Sequence, residues 1–160
     1  MNKASVRKIE SADVPEVLAM IRELAVFEKL EDVLVATEDD LRESFFGERP
    51  AAGGLVAETA QGLVGYAIHF TTFSTFLGKP GLWLEDIYIR PAWRGAGVGK
   101  LLLKAVVAHA RDMNYGRCEW CVLDWNQRAI DFYEAMGGKV LDEWRIVRMD
   151  RPRIESLGGE

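Results

Sequence analysis

The chain has 160 residues, 49% hydrophobic and 28% charged, with 15 glycines and 5 prolines. That is the composition of one globular domain with a real core, and it excludes a disordered, collagenous or disulfide-scaffold protein. Acids outnumber bases by 25 to 20, for a net charge of −5, which argues against a nucleic-acid partner, since such partners are held by a basic face.

Ser5 to Glu10 reads as a short strand, and the charged start Val6-Arg7-Lys8-Ile9 does not follow the basic-then-apolar order of a secretory leader. No apolar run reaches the roughly 18 residues of a membrane span, so the expected location is cytoplasmic, with no membrane partner. Ser11 or Asp13 then caps a helix with Pro15 in its first turn and Val14, Val17, Leu18, Ile21, Leu24 and Ala25 along one face. Thr37, followed by Glu38, Asp39 and Asp40, opens a second helix that turns Leu41 and Phe45 inward and stops by Gly47 to Pro50.

Gly54 to Ala60 and Leu63 to Thr72 are β-rich runs joined by Gln61-Gly62, the pattern of a tight hairpin. Gly81 to Arg90 is a further strand, Val98 to Met113 an apolar helix closed by Gly116, and Arg117 to Leu123 a returning strand. Asn126 to Met136 reads as a helix ending at Gly137-Gly138, and Lys139 to Met149 as a final strand or hairpin. No repeat or linker interrupts the chain, so residues 1–160 are read as one domain with a core over about 5–150. The fold class is α/β, a mixed sheet in one layer with helices packed on it.

Cys118 and Cys121 form a C-x-x-C inside a strand, where alternation sends positions three apart to opposite faces. His69 and His109 are the only histidines, so no metal is expected and the thiols read as structural.

Three segments carry chemical signals. Arg94-Gly95-Ala96-Gly97-Val98-Gly99-Lys100 lies between a strand and an apolar helix. It is either a tight turn or a place where bare amides of a helix start converge on an anion, with Arg94 and Lys100 adding charge. Its spacing fits neither the Walker loop nor the dinucleotide fingerprint. In Leu82-Trp83-Leu84-Glu85-Asp86-Ile87-Tyr88-Ile89, two adjacent acids interrupt an apolar strand. They are solvated acids of an edge strand, or a site where Glu85 receives protons or pairs with a cation; alternation parts them unless a bulge re-aims one. Asn126 and Tyr133, seven apart, share one helix face with Ala129 and Ile130, and Tyr133 is either core or a hydroxyl two turns from the helix mouth.

In this order the segments resemble the GNAT superfamily of N-acetyltransferases. Arg94-x-x-Gly97-x-Gly99 is similar to its acyl-CoA pyrophosphate loop, and Asn126 to Tyr133 to its second CoA-contacting helix. Ile21-Arg22-Glu23-Leu24-Ala25, Phe27-Glu28-Lys29-Leu30, Leu84 to Tyr88 and Val122 to Ala129 further resemble the diamine acetyltransferases, both spermidine/spermine and thialysine-acetylating. The likeness runs from about Val6 to Met149.

That resemblance implies a mostly antiparallel sheet with a V-shaped gap between two parallel strands. It implies acetyl-CoA as donor cosubstrate, held by backbone of Ile87, Tyr88 and Ile89, by Arg94, Gly95, Ala96, Gly97, Val98, Gly99 and Lys100, and by Asn126, Ala129 and Tyr133. It implies an amine pocket of Phe27, Glu28, Glu85, Asp86, Glu119, Trp120, Cys121 and Trp125, with Phe27 and Phe76 as an aromatic wall. Glu85, through water, would help take the proton from a small primary amine, Tyr133 would protonate the departing thiolate, and transfer would be direct. A homodimer is implied as well. Phe76 and Ser74 stand where the spermidine/spermine enzymes have a tryptophan and an acid, which favours a shorter or amino-acid-like amine. The competing expectations are a non-catalytic acyl-CoA-binding module and a protein N-terminal or lysine acetyltransferase.

Overall fold

In a computed structural model of the chain, the structure describes residues 3–159; Met1, Asn2 and Glu160, the ends of the expected domain, lie outside the described residues. The chain forms two compact units that meet in sequence between Cys121 and Val122.

In the first unit, Ser5–Lys8 (β1), Gly53–Thr59 (β2), Gly62–Ser74 (β3), Lys79–Ile89 (β4) and Cys118–Glu119 (β5) form a sheet in the order β1-β2-β3-β4-β5. Neighbours are antiparallel except the last pair, where β4 and β5 run parallel through Leu82↔Cys118 and Trp83↔Glu119. The expected mixed, mostly antiparallel α/β sheet with flanking helices is borne out. Helices Val14–Glu28 (α1) and Glu38–Phe46 (α2) lie on one face. Their Val17, Met20 and Phe45 pack with Val56, Leu63, Tyr66, Ile68 and Tyr88 of the sheet. Helix Val98–Asp112 (α3) takes the opposite face, burying Leu102, Leu103, Val106 and Ala110 at helical spacing.

The helix starts follow from side chains that satisfy orphan amides. Thr37 Oγ1 accepts from Asp40 N–H at 3.2 Å while the Asp40 carboxylate accepts from Thr37 N–H at 2.8 Å, a reciprocal box at the mouth of α2. Ahead of α1, the buried Asp13 carboxylate accepts from Glu10 N–H at 2.8 Å and from both Nη groups of Arg7 at 2.7 and 2.9 Å. Arg7 Nε also donates to Glu58 at 2.8 Å, so one guanidinium ties β1 and β2 to the helix start.

The register of β4 against β3 slips between Ile68 and His69: Ile68 faces Asp86, but His69 faces Leu84. Glu85 is therefore the extra residue of a β-bulge. Across the slip, Ile68 and Phe70, two apart and on one face, are partnered by Asp86 and Trp83, three apart. Asp86 and Trp83 thus share the face covered by α1, and Glu85 joins them there, its Oε2 accepting from the Trp83 indole at 2.9 Å. The bulge allowed for in the sequence exists.

Several expectations need correction. The strand expected over Arg117 to Leu123 is only Cys118–Glu119. Its ladder with β4 ends at Trp83, just before the bulge, where the bend and added twist of β4 take its edge away from a parallel partner. From Leu84 to Ile89, β4 has no strand beside it on that side among the described residues. Helix α3 is closed by Asn114, at φ +54°, with Tyr115 N–H donating to Ala110 O at 2.9 Å, and not by Gly116. Gly116 instead approaches the β3–β4 hairpin, its N–H donating to Pro80 O at 2.8 Å. Phe76, at the tip of that hairpin, is 99% exposed and forms no wall.

The second unit contains Gln127–Ala135 (α4) and Arg151–Gly158 (α5). Helix α4 ends as expected, with Gly137 at φ +94° and Gly138 N–H donating to Tyr133 O at 2.9 Å. Lys139 to Met149 is not a strand; Trp144 N–H closes a turn onto Leu141 O at 3.2 Å. Alternating apolar residues encode a strand only where a ladder neighbour satisfies the backbone. Helix α5 lies beyond the expected core, capped by Asp150, which accepts from Arg153 N–H at 3.3 Å. Asp150 followed by Pro152 in the first turn is a start signal that the sequence does contain.

Candidate active site

The end of α1 and the far half of β4 bring three carboxylates to one face of the sheet. Glu85 is exposed and held by the Trp83 indole, whereas Asp86, its neighbour in sequence, is half-buried. Burial first, then the negative charges of Glu85 and Glu28, push the Asp86 carboxyl up to about 6. The Tyr66 hydroxyl, on the adjacent strand, acts in the opposite sense on Asp86. Glu28, in the last turn of α1, is also raised, by burial. None of the three is in an ion pair among the described residues. Two acids partly withdrawn from water beside an exposed third, with no ion-pair partner among the described residues, form a cation-seeking surface.

The basic residues nearby are already engaged. Arg90 pairs with Glu16 at 2.6 Å and Glu23 at 3.0 Å, and Glu23 also accepts from the Tyr88 hydroxyl at 3.0 Å. Arg94 donates from Nε to Ile89 O at 2.8 Å, and its guanidinium lies 5.4 Å from the ring centres of both Phe27 and Tyr88. Arg94 thus holds the beginning of the glycine loop against the end of α1, through contacts worth about 0.5–1 kcal/mol each at such half-exposed positions.

The loop itself fits a phosphate-bearing ligand. Gly95 and Gly97 sit at φ +81° and +83°, in the left-handed region. Nothing lies within 4 Å of where a Cβ would stand at either. Gly97 is the N-cap of α3 and no side chain caps the helix. The first intrahelical bond, from Leu101 N–H to Gly97 O at 3.0 Å, leaves the amides of Val98, Gly99 and Lys100 ahead of it. Bare amides at a positive helix end beside open space suit a pyrophosphate. Ala96 and Lys100 are exposed on this loop. Ile87, Tyr88 and Ile89 lie on the stretch of β4 that has no strand beside it toward β5.

On β5, Glu119 pairs with Arg117 at 2.7 Å, so its charge is compensated within its own segment. Trp120 and Cys118 are half-buried and Cys121 is exposed; burial raises the Cys118 thiol. In the second unit Trp125 is exposed, and Asn126 caps α4 by accepting from Ala129 N–H at 3.2 Å. Asn126, Ala129, Ile130 and Tyr133 are all half-buried, on one face of α4 as their spacing requires. The Tyr133 ring lies 5.4 Å from that of Phe132.

Sequence reasoning missed Tyr66, whose side chain is wholly buried with its hydroxyl unpartnered among the described residues. A lone hydroxyl within the apolar run Val64 to Ile68 was its signal. Glu23 and Arg90 were passed over because surface charges usually mark a solvated face.

Residues 18–138 match the acetyltransferase (GNAT) family. The chain is 37% identical to a thialysine N-epsilon-acetyltransferase of Bos taurus over 97% of both chains. It is 30% identical to an L-ornithine N5-acetyltransferase of Arabidopsis thaliana over 95% of this chain and 86% of that one. An integron cassette protein of V. cholerae shares the fold with a TM-score of 0.81 at 20% identity, over 98% of each chain. The chain belongs to the GNAT acetyltransferase family. It is an N-acetyltransferase, a family whose acetyl donor is acetyl-CoA.

Proposed function

We propose that the protein moves an acetyl group from acetyl-CoA to a small primary amine, a lysine-like amino acid such as thialysine or a short diamine. The observation that carries this reading is the trio of Glu28, at the end of α1, with Glu85 and Asp86, brought to one sheet face by the β4 bulge, none with an ion-pair partner among the described residues. Similarity to the thialysine and ornithine enzymes supports the same substrate class.

A lysine-like ammonium, with an ordinary value of about 10.4, is protonated at neutral pH and must lose a proton before it can attack a thioester. Asp86 and Glu28 attract the cation. Glu85, exposed enough to meet water and oriented by the Trp83 indole, serves as the base that receives the proton through water. Phe27, under the Arg94 guanidinium, offers apolar surface to the alkyl chain. Glu119, Trp120, Cys121 and Trp125 are the other residues we propose for amine binding.

The amides of Gly95 to Lys100 hold the pyrophosphate, the backbone of Ile87 to Ile89 pairs with the pantetheine arm, and Asn126 and Ala129 flank the cofactor. Tyr133 gives a proton to the departing thiolate. The family match runs over residues 18–138 and so crosses the junction between Cys121 and Val122, which supports reading the chain as one acetyltransferase domain. We also propose a cytoplasmic homodimer. The apolar side chains exposed between Leu141 and Met149, Val147 at 90% among them, support a covering partner.

The test is steady-state acetylation by the purified protein with acetyl-CoA and a panel of thialysine, lysine, ornithine, short diamines, spermidine and peptides. Thiol release with lysine-like amines or diamines, well above hydrolysis, is expected. Activity on peptides alone would sink the substrate class.

A further inference from the structure

Tyr66 stands in the middle of β3, opposite Tyr88 and two residues along from the Ile68–Asp86 pair, on the same face of the sheet. Its side chain is 0% exposed, yet its hydroxyl makes no hydrogen bond among the described residues. A buried, unsatisfied hydroxyl costs about 1–3 kcal/mol, which a core position filled by phenylalanine would avoid. The acceptor that acts on it from the same sheet face is the Asp86 carboxylate. Burial and then the charges of Asp86 and Glu28 drive the phenol far above its ordinary value, so it acts only as a proton donor.

We propose that Tyr66 is the positioning residue of the amine pocket: its buried hydroxyl donates to one oxygen of Asp86 and leaves the other to face the substrate ammonium. The inference rests on the amine reading above and assigns that pocket a residue which neither motif nor resemblance singled out. The Tyr66 hydroxyl is unpartnered among the described residues and Asp86 is an acceptor on the same sheet face; an arriving cation, by favouring the ionised acid, strengthens the bond between them. Asp86 is then fixed by protein on one side and by substrate on the other.

The groups around Asp86 fix the sign of the pH dependence. Glu85 on its own strand and Glu28 on α1 disfavour its ionised form, as burial does, while Tyr66 favours it. Next to these, Tyr88 is bonded to Glu23, and the cations Arg90 and Arg94 are engaged with Glu16, Glu23, Ile89 O and the two rings. Amine capture therefore fails as pH falls through the Asp86 value, and removing the phenol oxygen raises that value.

The experiment compares full-length wild type, Tyr66→Phe and Asp86→Asn by pH profiles of kcat/KM for thialysine and for acetyl-CoA, together with a carboxyl-carbon NMR titration of Asp86. In Tyr66→Phe the acid limb of the amine profile and the NMR midpoint should both move up by about half a unit to one unit. The amine KM should rise several-fold and the acetyl-CoA KM stay within about twofold. An unmoved limb and midpoint would overturn the role of Tyr66 while leaving the amine reading intact, provided Asp86→Asn raises the amine KM about tenfold or more. If Asp86→Asn leaves the amine KM unchanged, the acids do not bind amine and both readings fall. The NMR midpoint is read without turnover, so it decides the matter even if Tyr66→Phe is inactive.

Discussion

Glu85 and Asp86, consecutive in sequence, stand on the same face of β4 because Glu85 is the unpaired residue of a bulge against Ile68 and His69. One is exposed and bonded to an indole, the other half-buried on the α1 side of the sheet, so two carboxylates acquire different tasks from position alone.

Glu85→Gln keeps the indole contact and removes the base. It should lower kcat for amine by about 10²-fold with the acetyl-CoA dissociation constant unchanged by calorimetry. A loss below threefold would remove Glu85 from proton transfer.

Tyr133→Phe keeps the ring packed beside Phe132 and removes the proposed acid. Turnover should fall about 10–10²-fold with little change in KM for either substrate. A thioester whose leaving thiol is already acidic should recover much of the loss; failure of such a donor to do so would place the defect elsewhere.

At Gly97, φ of +83° marks a conformation that an L side chain adopts at a cost of about 1–2 kcal/mol. Gly97→Ala should weaken acetyl-CoA binding about tenfold and lower the thermal midpoint by a few degrees, read by calorimetry and thermal melts. Retained affinity would show that this turn does not shape the phosphate cradle.

Asp13 is held below the ordinary carboxylate value chiefly by hydrogen bonds from Arg7, against the opposing effect of its burial. Its stabilisation is full above the unfolded value of about 3.9 and is lost as pH falls through the lower folded value. Asp13→Asn should cost about 1–3 kcal/mol at pH 7 by urea unfolding and much less at pH 2. Equal losses at both would contradict an ionic role.

His69, its ring centre 4.8 Å from that of His109 at a tilt of 40° and close under Gly53, is lowered to about 4, by burial first and then by His109. The folded value lies below the unfolded one of about 6.5, so stability should decline as pH drops from 6.5 toward 4. His69→Phe, which cannot titrate, should flatten that slope in denaturant midpoints. A slope that persists would point to another group.

What could be read in advance was what local chemistry writes. Thr37, Pro15 and Gly137 set helix ends within one or two residues, and the β2–β3 hairpin closed where Gln61-Gly62 indicated. The glycine loop was legible because its left-handed backbone, at Gly95 and Gly97, demands glycine. The tertiary consequences were not: β5 is cut short by a bulge in its neighbour, and the strand pattern of 139–149 meets no ladder in the described structure. The site split likewise, with the acid pair visible and Tyr66 hidden, since an unsatisfied hydroxyl is defined by what surrounds it rather than by its sequence neighbours.

Because Glu85 is the extra residue of its strand, exchanging or deleting it breaks no rung of the β3–β4 ladder. Chemical tuning and mechanical integrity are thus uncoupled at this position: evolution, or an engineer, can alter the reactive group without loosening the sheet, a freedom that Asp86, locked in register beside it, does not have.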